Sequence, residues 1–229
     1  MSKRFGLFAV ALLAALSGGV TRASADRMTF ELVPFGDGAS CGSKCPEVIS
    51  AVGEITSSTP REFLDFVKSH INDDRMRSIV FLHSPGGSVA ASMRLGEMFR
   101  KTGVAAVVAR LIRLGSGADA GGMAVPAGRC FSACVYAFMG GRKRVVPPSS
   151  LVGIHRMSFD ESERDMTTLE TRTWRKLGTP DFVAQLSNYA ASMGVSRDLI
   201  ATAERVSPDD IHIVTPTELR RWRLAGEKF

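Results

Sequence analysis

Long apolar runs are scarce in this 229-residue chain. The one that stands out, residues 5–16, falls short of the ~20 residues that a membrane-spanning helix needs. Low-complexity tracts and internal repeats are missing, which removes disordered linkers and solenoids from consideration. Aromatic residues make up only 7% of the chain and are not interleaved with basic ones, so nothing supports a nucleic-acid partner. Cysteines number four, as Cys41/Cys45 and Cys130/Cys134. Zinc sites favour closer spacings, often with a histidine, and there is no cofactor signal. No metal and no cofactor are expected.

What is present is a globular composition, with 45% hydrophobic and 23% charged residues in a chain long enough to bury a real core. Its first 25 residues have a build of their own. Lys3-Arg4 is a basic start, residues 5–16 are apolar, and Ala23-Ser24-Ala25 is a small-residue cleavage site before Asp26. This is the three-part pattern of a secretory signal peptide. The expectation is a signal peptide over 1–25, a domain over 26–229, and a periplasmic or secreted product. The alternative is an uncleaved anchor, and membrane contact would then come only from that segment. Lys3, Arg4 and Arg22 leave with the peptide, so 26 of the 29 basic residues remain against 23 acidic ones. The charge is nearly balanced.

Export decides how the cysteines are read, because an even count in an oxidising compartment points to disulfides. Four cysteines allow three connectivities, and sequence alone does not choose. The expectation adopted is that Cys41 and Cys45 each cross to Cys130 or Cys134, since a bond between those two would strain the turn around Ser132.

Along the chain, residues 26–40 read as a short strand and a loop, and 48–55 as the first core strand. Thr59-Pro60-Arg61-Glu62 has the form of a capping box, followed by Phe63, Leu64, Val67 and Ile71 at helical spacing. Residues 78–83 form a buried apolar strand, and Ser84-Pro85-Gly86-Gly87 turns it into a helix over 88–101. Another strand spans 104–108. Alternating strands and helices of these lengths predict βαβ units and a mainly parallel sheet. Residues 111–129 hold Gly115, Gly117, Gly121, Gly122 and Gly128, and read as an inserted loop able to act as a lid. An apolar helix follows from Ser132, then short strands at 145–146 and 151–154. Helices are predicted over 167–177, 180–193 and from Ser196 to 206. A strand over 211–214 precedes a last helix capped by Thr215-Pro216-Thr217-Glu218.

Three features share one chemistry. Ser132 opens the apolar helix, His155 ends the strand after it, and a glycine turn ends an earlier strand. A serine hydroxyl needs a base to take its proton, and imidazole serves near neutral pH. The oxyanion needs preorganised donors, for which the N–H groups of Gly87 and Ala133 are candidates. Singly, each residue has a structural explanation: Ser132 as a small residue at a tight turn, His155 as a core histidine.

The order and setting of these residues resemble the Clp protease proteolytic subunit and its wider crotonase-like superfamily, over residues 48–219. Ser84-Pro85-Gly86-Gly87 matches that family's glycine turn, Ser132-Ala133 its nucleophile position, Ile154-His155 its base, and Val214-Thr215-Pro216 its late turn. Still closer is the likeness to exported Clp-protease-like proteins carrying Cys-x-Ser-Ala-Cys before an apolar Gly-Gly. Cys134 departs from the protease, which has glycine there; the junction at Gly141-Arg142 is shorter, and the segment after His155 shows little likeness.

The resemblance implies an α/β, crotonase-like spiral of βαβ units. It places the third triad member at Asp210, with Asp209 as the alternative. It implies a peptidase acting on peptides or unfolded segments, without ATP if exported, and a possible homo-oligomer. The competing reading is a catalytically silent scaffold that binds peptides or partner proteins. Acyl-CoA chemistry, which the wider fold also hosts, has no cofactor signal to support it.

Overall fold

The computed structural model describes residues 26–36, 38–114 and 122–226. The expected signal segment lies outside them, as does the middle of the glycine-rich stretch, 115–121. Strand β1 (Thr29–Pro34) leads through a short helix α1 (Gly38–Cys41) and a 3-10 turn (Gly42–Lys44) into β2 (Glu47–Val52). Helix α2 (Thr59–Ser69), β3 (Met76–His83), α3 (Val89–Thr102) and β4 (Ala105–Val108) follow. β5 (Ile112–Leu114) and β6 (Gly122–Ala124) form an antiparallel pair, so the expected inserted loop carries strands at both ends of the undescribed stretch. Then come β7 (Arg129–Phe131), α4 (Cys134–Met139), β8 (Lys143–Val145) and β9 (Leu151–Ile154). The chain closes with β10 (Ser158–Arg164), β11 (Thr171–Leu177), α5 (Pro180–Ser192), α6 (Asp198–Ala203), β12 (His212–Ile213) and α7 (Pro216–Arg221).

Five strands make the main sheet in the order β1-β2-β3-β4-β8, parallel throughout except for β1. This is the mainly parallel sheet of βαβ units that the alternating pattern predicts. β2 and the end of β3 are buried as near-continuous apolar runs, as strands covered on both faces must be. Phe63 of α2 and Phe99 of α3 meet edge to face at 5.0 Å over Ile49, Val80 and Leu82 in one buried cluster. A second sheet, β12-β9-β7, stands beside it.

α4 is the innermost helix, with every residue buried. It crosses α3 where Gly96 faces Gly140. A Cβ on Gly140 would overlap the Gly96 carbonyl, so the two backbones touch with no side chain between them. The carboxyl end of α4 is closed by two arginines, both donating to the Met139 carbonyl: Arg100 at 3.2 Å and Arg144 at 2.9 Å. Burial, and then the neighbouring Arg100 charge, push Arg144 down to about 10.

Three local expectations fail, each for a physical reason. Residues 167–177, predicted helical, form the turn and second strand of the β10–β11 hairpin. Asp165 accepts from the N–H groups of Thr167 and Thr168, closing the turn, and Thr171, Thr173 and Trp174 suit an extended ribbon. The box expected at Thr59 does not form. The N-cap is Ser58, and Thr59 Oγ1 is already taken by the Thr56 N–H at 3.0 Å. The box at Thr215 and Glu218 does form, with both reciprocal bonds present.

The third failure is the crossed disulfide pairing. The bonds are Cys41–Cys45 and Cys130–Cys134, with Cα atoms 4.8 and 5.3 Å apart. Both separations lie inside the ~4.4–6.8 Å that a disulfide accepts. Cys130 lies in β7 and the chain turns left-handed at Ser132, with φ 54°, before α4 starts at Cys134; the backbone strain expected there is borne by Ser132 and does not prevent the bond. Each loop closed is short, so on a chain-entropy model each bond is worth about 2 kcal/mol. Non-reducing peptide mapping of the folded protein should give two linked species, each confined to one of these pairs. A peptide joining Cys41 or Cys45 to Cys130 or Cys134 would overturn the pairing.

Candidate active site

The Ser84-Pro85-Gly86-Gly87 turn is fastened to the second sheet. Ser84 N–H donates to the Arg129 carbonyl at 2.8 Å, and Phe131 N–H to the Ser84 carbonyl at 3.1 Å, so β3 runs on alongside β7. The buried Ser84 hydroxyl accepts from Gly86 N–H at 3.1 Å and shapes the turn from inside. Gly86 and Gly87 take φ of 115° and 126°, which side-chain-bearing residues rarely adopt. A Cβ on Gly86 would lie 2.8 Å from the Phe131 carbonyl and 2.9 Å from Ser132 Cβ. The glycine turn is therefore flush against Ser132. At Gly87 the space of a Cβ is filled by the Ile55 backbone.

Ser132 itself is one of few non-glycine residues with positive φ. It sits between β7 and α4, two residues before the helix begins, and the Cys130–Cys134 bond spans it on both sides. Its N–H donates to the Gly153 carbonyl at 2.9 Å. Gly153 belongs to β9, and two residues later the chain reaches His155. That bond extends the parallel pairing of β7 with β9, which brings serine and histidine together. Both line a cavity of ≈ 10 Å³, about the room one water needs, walled by Val135, Tyr136, Ile154, Met157, Leu199 and Ala203. The N–H groups of Gly87 and Ala133 have no acceptor among the described residues.

His155 is oriented from an unexpected direction. Its Nδ1 lies 2.9 Å from the Arg156 carbonyl oxygen. A carbonyl only accepts, so Nδ1 carries the proton and Nε2 keeps the lone pair a base requires. The Arg156 backbone is held in turn, its N–H donating to the Val206 carbonyl at 3.1 Å and its side chain pairing with Glu204 at 3.0 Å. Asp210 makes no hydrogen bond to His155 among the described residues. Its N–H closes a turn on the Ser207 carbonyl at 3.0 Å, and it does not line the Ser132–His155 cavity. The alternative, Asp209, is hydrogen-bonded to Arg175 of the hairpin.

Among solved structures, a mutant of the 1510-N membrane-bound stomatin-specific protease matches 78% of this chain and 76% of its own, with a TM-score of 0.51 at 17% identity. The chain has a Clp-protease-like fold. ClpP1 of Listeria monocytogenes covers 76% of this chain and 85% of its own at 17% identity, with a TM-score of 0.45. The ClpP catalytic domain of Plasmodium falciparum covers 76% and 79% at 14% identity, with a TM-score of 0.46. No protein-family model and no curated protein sequence matches.

Within this Clp-protease-like fold, the sequence reading located the serine, the histidine and the glycine turn but missed three contributors. Gly86 packs against Ser132, whereas the oxyanion donor expected from that turn is Gly87. Gly153 supplies the carbonyl that ties the serine strand to the histidine strand. The Arg156 carbonyl holds the imidazole, and no side-chain pattern can announce a backbone acceptor. Among the described residues, no group of three or more His, Cys, Asp or Glu side chains is placed to hold a metal ion. None of the described helices is long and apolar enough to cross a membrane.

Proposed function

We propose that the protein is an exported serine hydrolase of peptidase type that works without ATP. Ser132 is the nucleophile, His155 the base, and Gly87 and Ala133 the oxyanion donors. The carrying observation is Ser132 at φ 54°, flush against the glycine turn and beside His155 in one water-sized cavity. A left-handed serine costs roughly 1–2 kcal/mol and is kept only where surroundings enforce it. The next N–H after this turn, on Ala133, has no acceptor among the described residues.

The chemistry follows from the geometry. His155 Nε2 takes the Ser132 proton as Oγ attacks the peptide carbonyl carbon, and the Gly87 and Ala133 N–H groups receive the oxyanion. The imidazolium is stabilised by its Nδ1–H bond to the Arg156 carbonyl. It then protonates the leaving amine as the C–N bond breaks, and one water, activated by the same nitrogen, releases the acid and regenerates Ser132. Export is supported by two disulfides and by the build of residues 1–25. A peptide substrate fits the Clp-protease-like fold, and the exposed Met166, Leu169 and Trp174 of the hairpin fit a homo-oligomer.

One observation favours the silent scaffold instead. Ser132 and His155 share no hydrogen bond with each other in the described structure, although apo sites often tighten only when substrate binds. A fluorophosphonate probe separates the two readings. The folded 26–229 protein should be labelled, and peptide mass spectrometry should place the adduct on Ser132. No labelling under conditions that label a control hydrolase, or an adduct elsewhere, would end the hydrolase reading.

A further inference from the structure

The hydrolytic chemistry leaves unused a cleft that adjoins the site. It has a volume of ≈ 650 Å³ and opens at the carboxyl ends of three parallel strands: Val52 ends β2, His83 ends β3, and Arg110 follows closely after β4. Open α/β sheets take their ligands at this edge, where strand ends and loops leave a crevice. Two of its walls belong to the site already described, since Ser84 begins the glycine turn and Phe131 immediately precedes Ser132.

The charge of this cleft is one-sided. Arg27, Arg110 and Arg129 line it, against the single carboxylate of Asp26. Arg27 is engaged, pairing with Glu62 at 3.3 Å. The guanidiniums of Arg110 and Arg129 have no partner among the described residues. His83 accepts from the Arg129 N–H through Nδ1 at 3.2 Å, so its ring proton is on Nε2. Burial first, then the charges of Arg110 and Arg129, hold His83 below the usual histidine range, and it stays a neutral donor.

We propose that this cleft binds a carboxylate of a peptide substrate through Arg110 and Arg129, beside the scissile bond. Its role as a specificity subsite rests on the reading of Ser132 as nucleophile; binding itself does not. Planar guanidiniums match a carboxylate in shape as well as charge, and a neutral N–H adds a third donor. Asp26 in the wall repels a continuous polyanion while leaving room for one compact acid. The carboxylate is that of an Asp or Glu side chain or of the peptide terminus.

The test measures binding to the Ser132→Ala protein, so that hydrolysis is not required. Three dansylated alanine hexapeptides serve as probes: one with a central Glu and an amidated end, one with Gln in its place, and one all-alanine with a free terminal carboxylate. At low ionic strength either the Glu peptide or the free-carboxylate peptide should bind roughly tenfold tighter than the Gln peptide, the expected worth of a charge-assisted bond. Which of the two does so identifies the source of the acid. Arg110→Gln and Arg129→Gln should each shrink that preference several-fold with unchanged circular dichroism, and salt should weaken it. Equal binding of acid and amide peptides, no saturable binding, or a preference that survives both substitutions overturns the proposal. So does tighter binding of a thymidylate oligonucleotide than of either acidic peptide. Carboxylate binding by a protein that takes no fluorophosphonate would leave the cleft standing and remove the hydrolase.

Discussion

Ser132→Gly protein should be catalytically dead yet no less stable than the parent. Activity should fall by at least about 10³-fold, because removing a nucleophile removes the whole concerted step. Stability should change little or rise by up to about 1 kcal/mol. Glycine adopts φ 54° without the cost a serine bears, and its extra unfolded-state freedom offsets part of that gain. Ser132→Ala should lose the same activity without the relief. His155→Ala should lose nearly as much, since the two residues act as a unit. Asp210→Asn should stay within about twofold of the parent in kcat, because the acceptor on His155 Nδ1 is the Arg156 carbonyl. Full turnover by the Ser132→Ala protein would sink the assignment. A large loss in Asp210→Asn would show that this acid reaches the imidazole during turnover. Peptide or ester hydrolysis, read beside thermal melts, measures all four.

Gly140→Val should be the most damaging single substitution for the fold. The added atoms would fall on the Gly96 backbone rather than on a movable side chain, so α3 and α4 must separate. Overpacking of this kind costs about 3 kcal/mol or more when backbone has to shift, equivalent to a fall in Tm of roughly 6–12 °C for a domain of this size. Gly194→Ala is the control. It has φ 73° with open space around its Cβ position, so only the conformational cost of about 1 kcal/mol applies. Comparable melting of the two variants would show that the helices do not rely on that contact.

The βαβ alternation was legible because the core strands carry near-continuous apolar stretches and helices α2 and α3 each bury one apolar face. The turn at Ser84 and the box at Thr215–Glu218 were legible for a similar reason: their residues make the bonds that define them. The β10–β11 hairpin was not, because both of its strands are largely exposed and carry charges at close intervals. Without a buried face, periodicity loses its meaning. At the site, side chains with their own chemistry were found and backbone contributors were not. The crossed disulfides failed through a wrong premise about local geometry. The two cysteines around Ser132 were expected to sit a helical turn apart, whereas Cys130 lies in β7, the helix starts at Cys134 and the serine turns left-handed between them.

The connectivity of those disulfides bears on how the protein is made. Each cysteine bonds to the next cysteine in the chain, so both bonds close within a few residues. Bringing such near neighbours together costs far less chain entropy than closing a loop between the two pairs, some 90 residues apart. In an oxidising compartment the pairing that closes first would then be the one the finished fold keeps. A chain wired in this way has little use for a thiol isomerase.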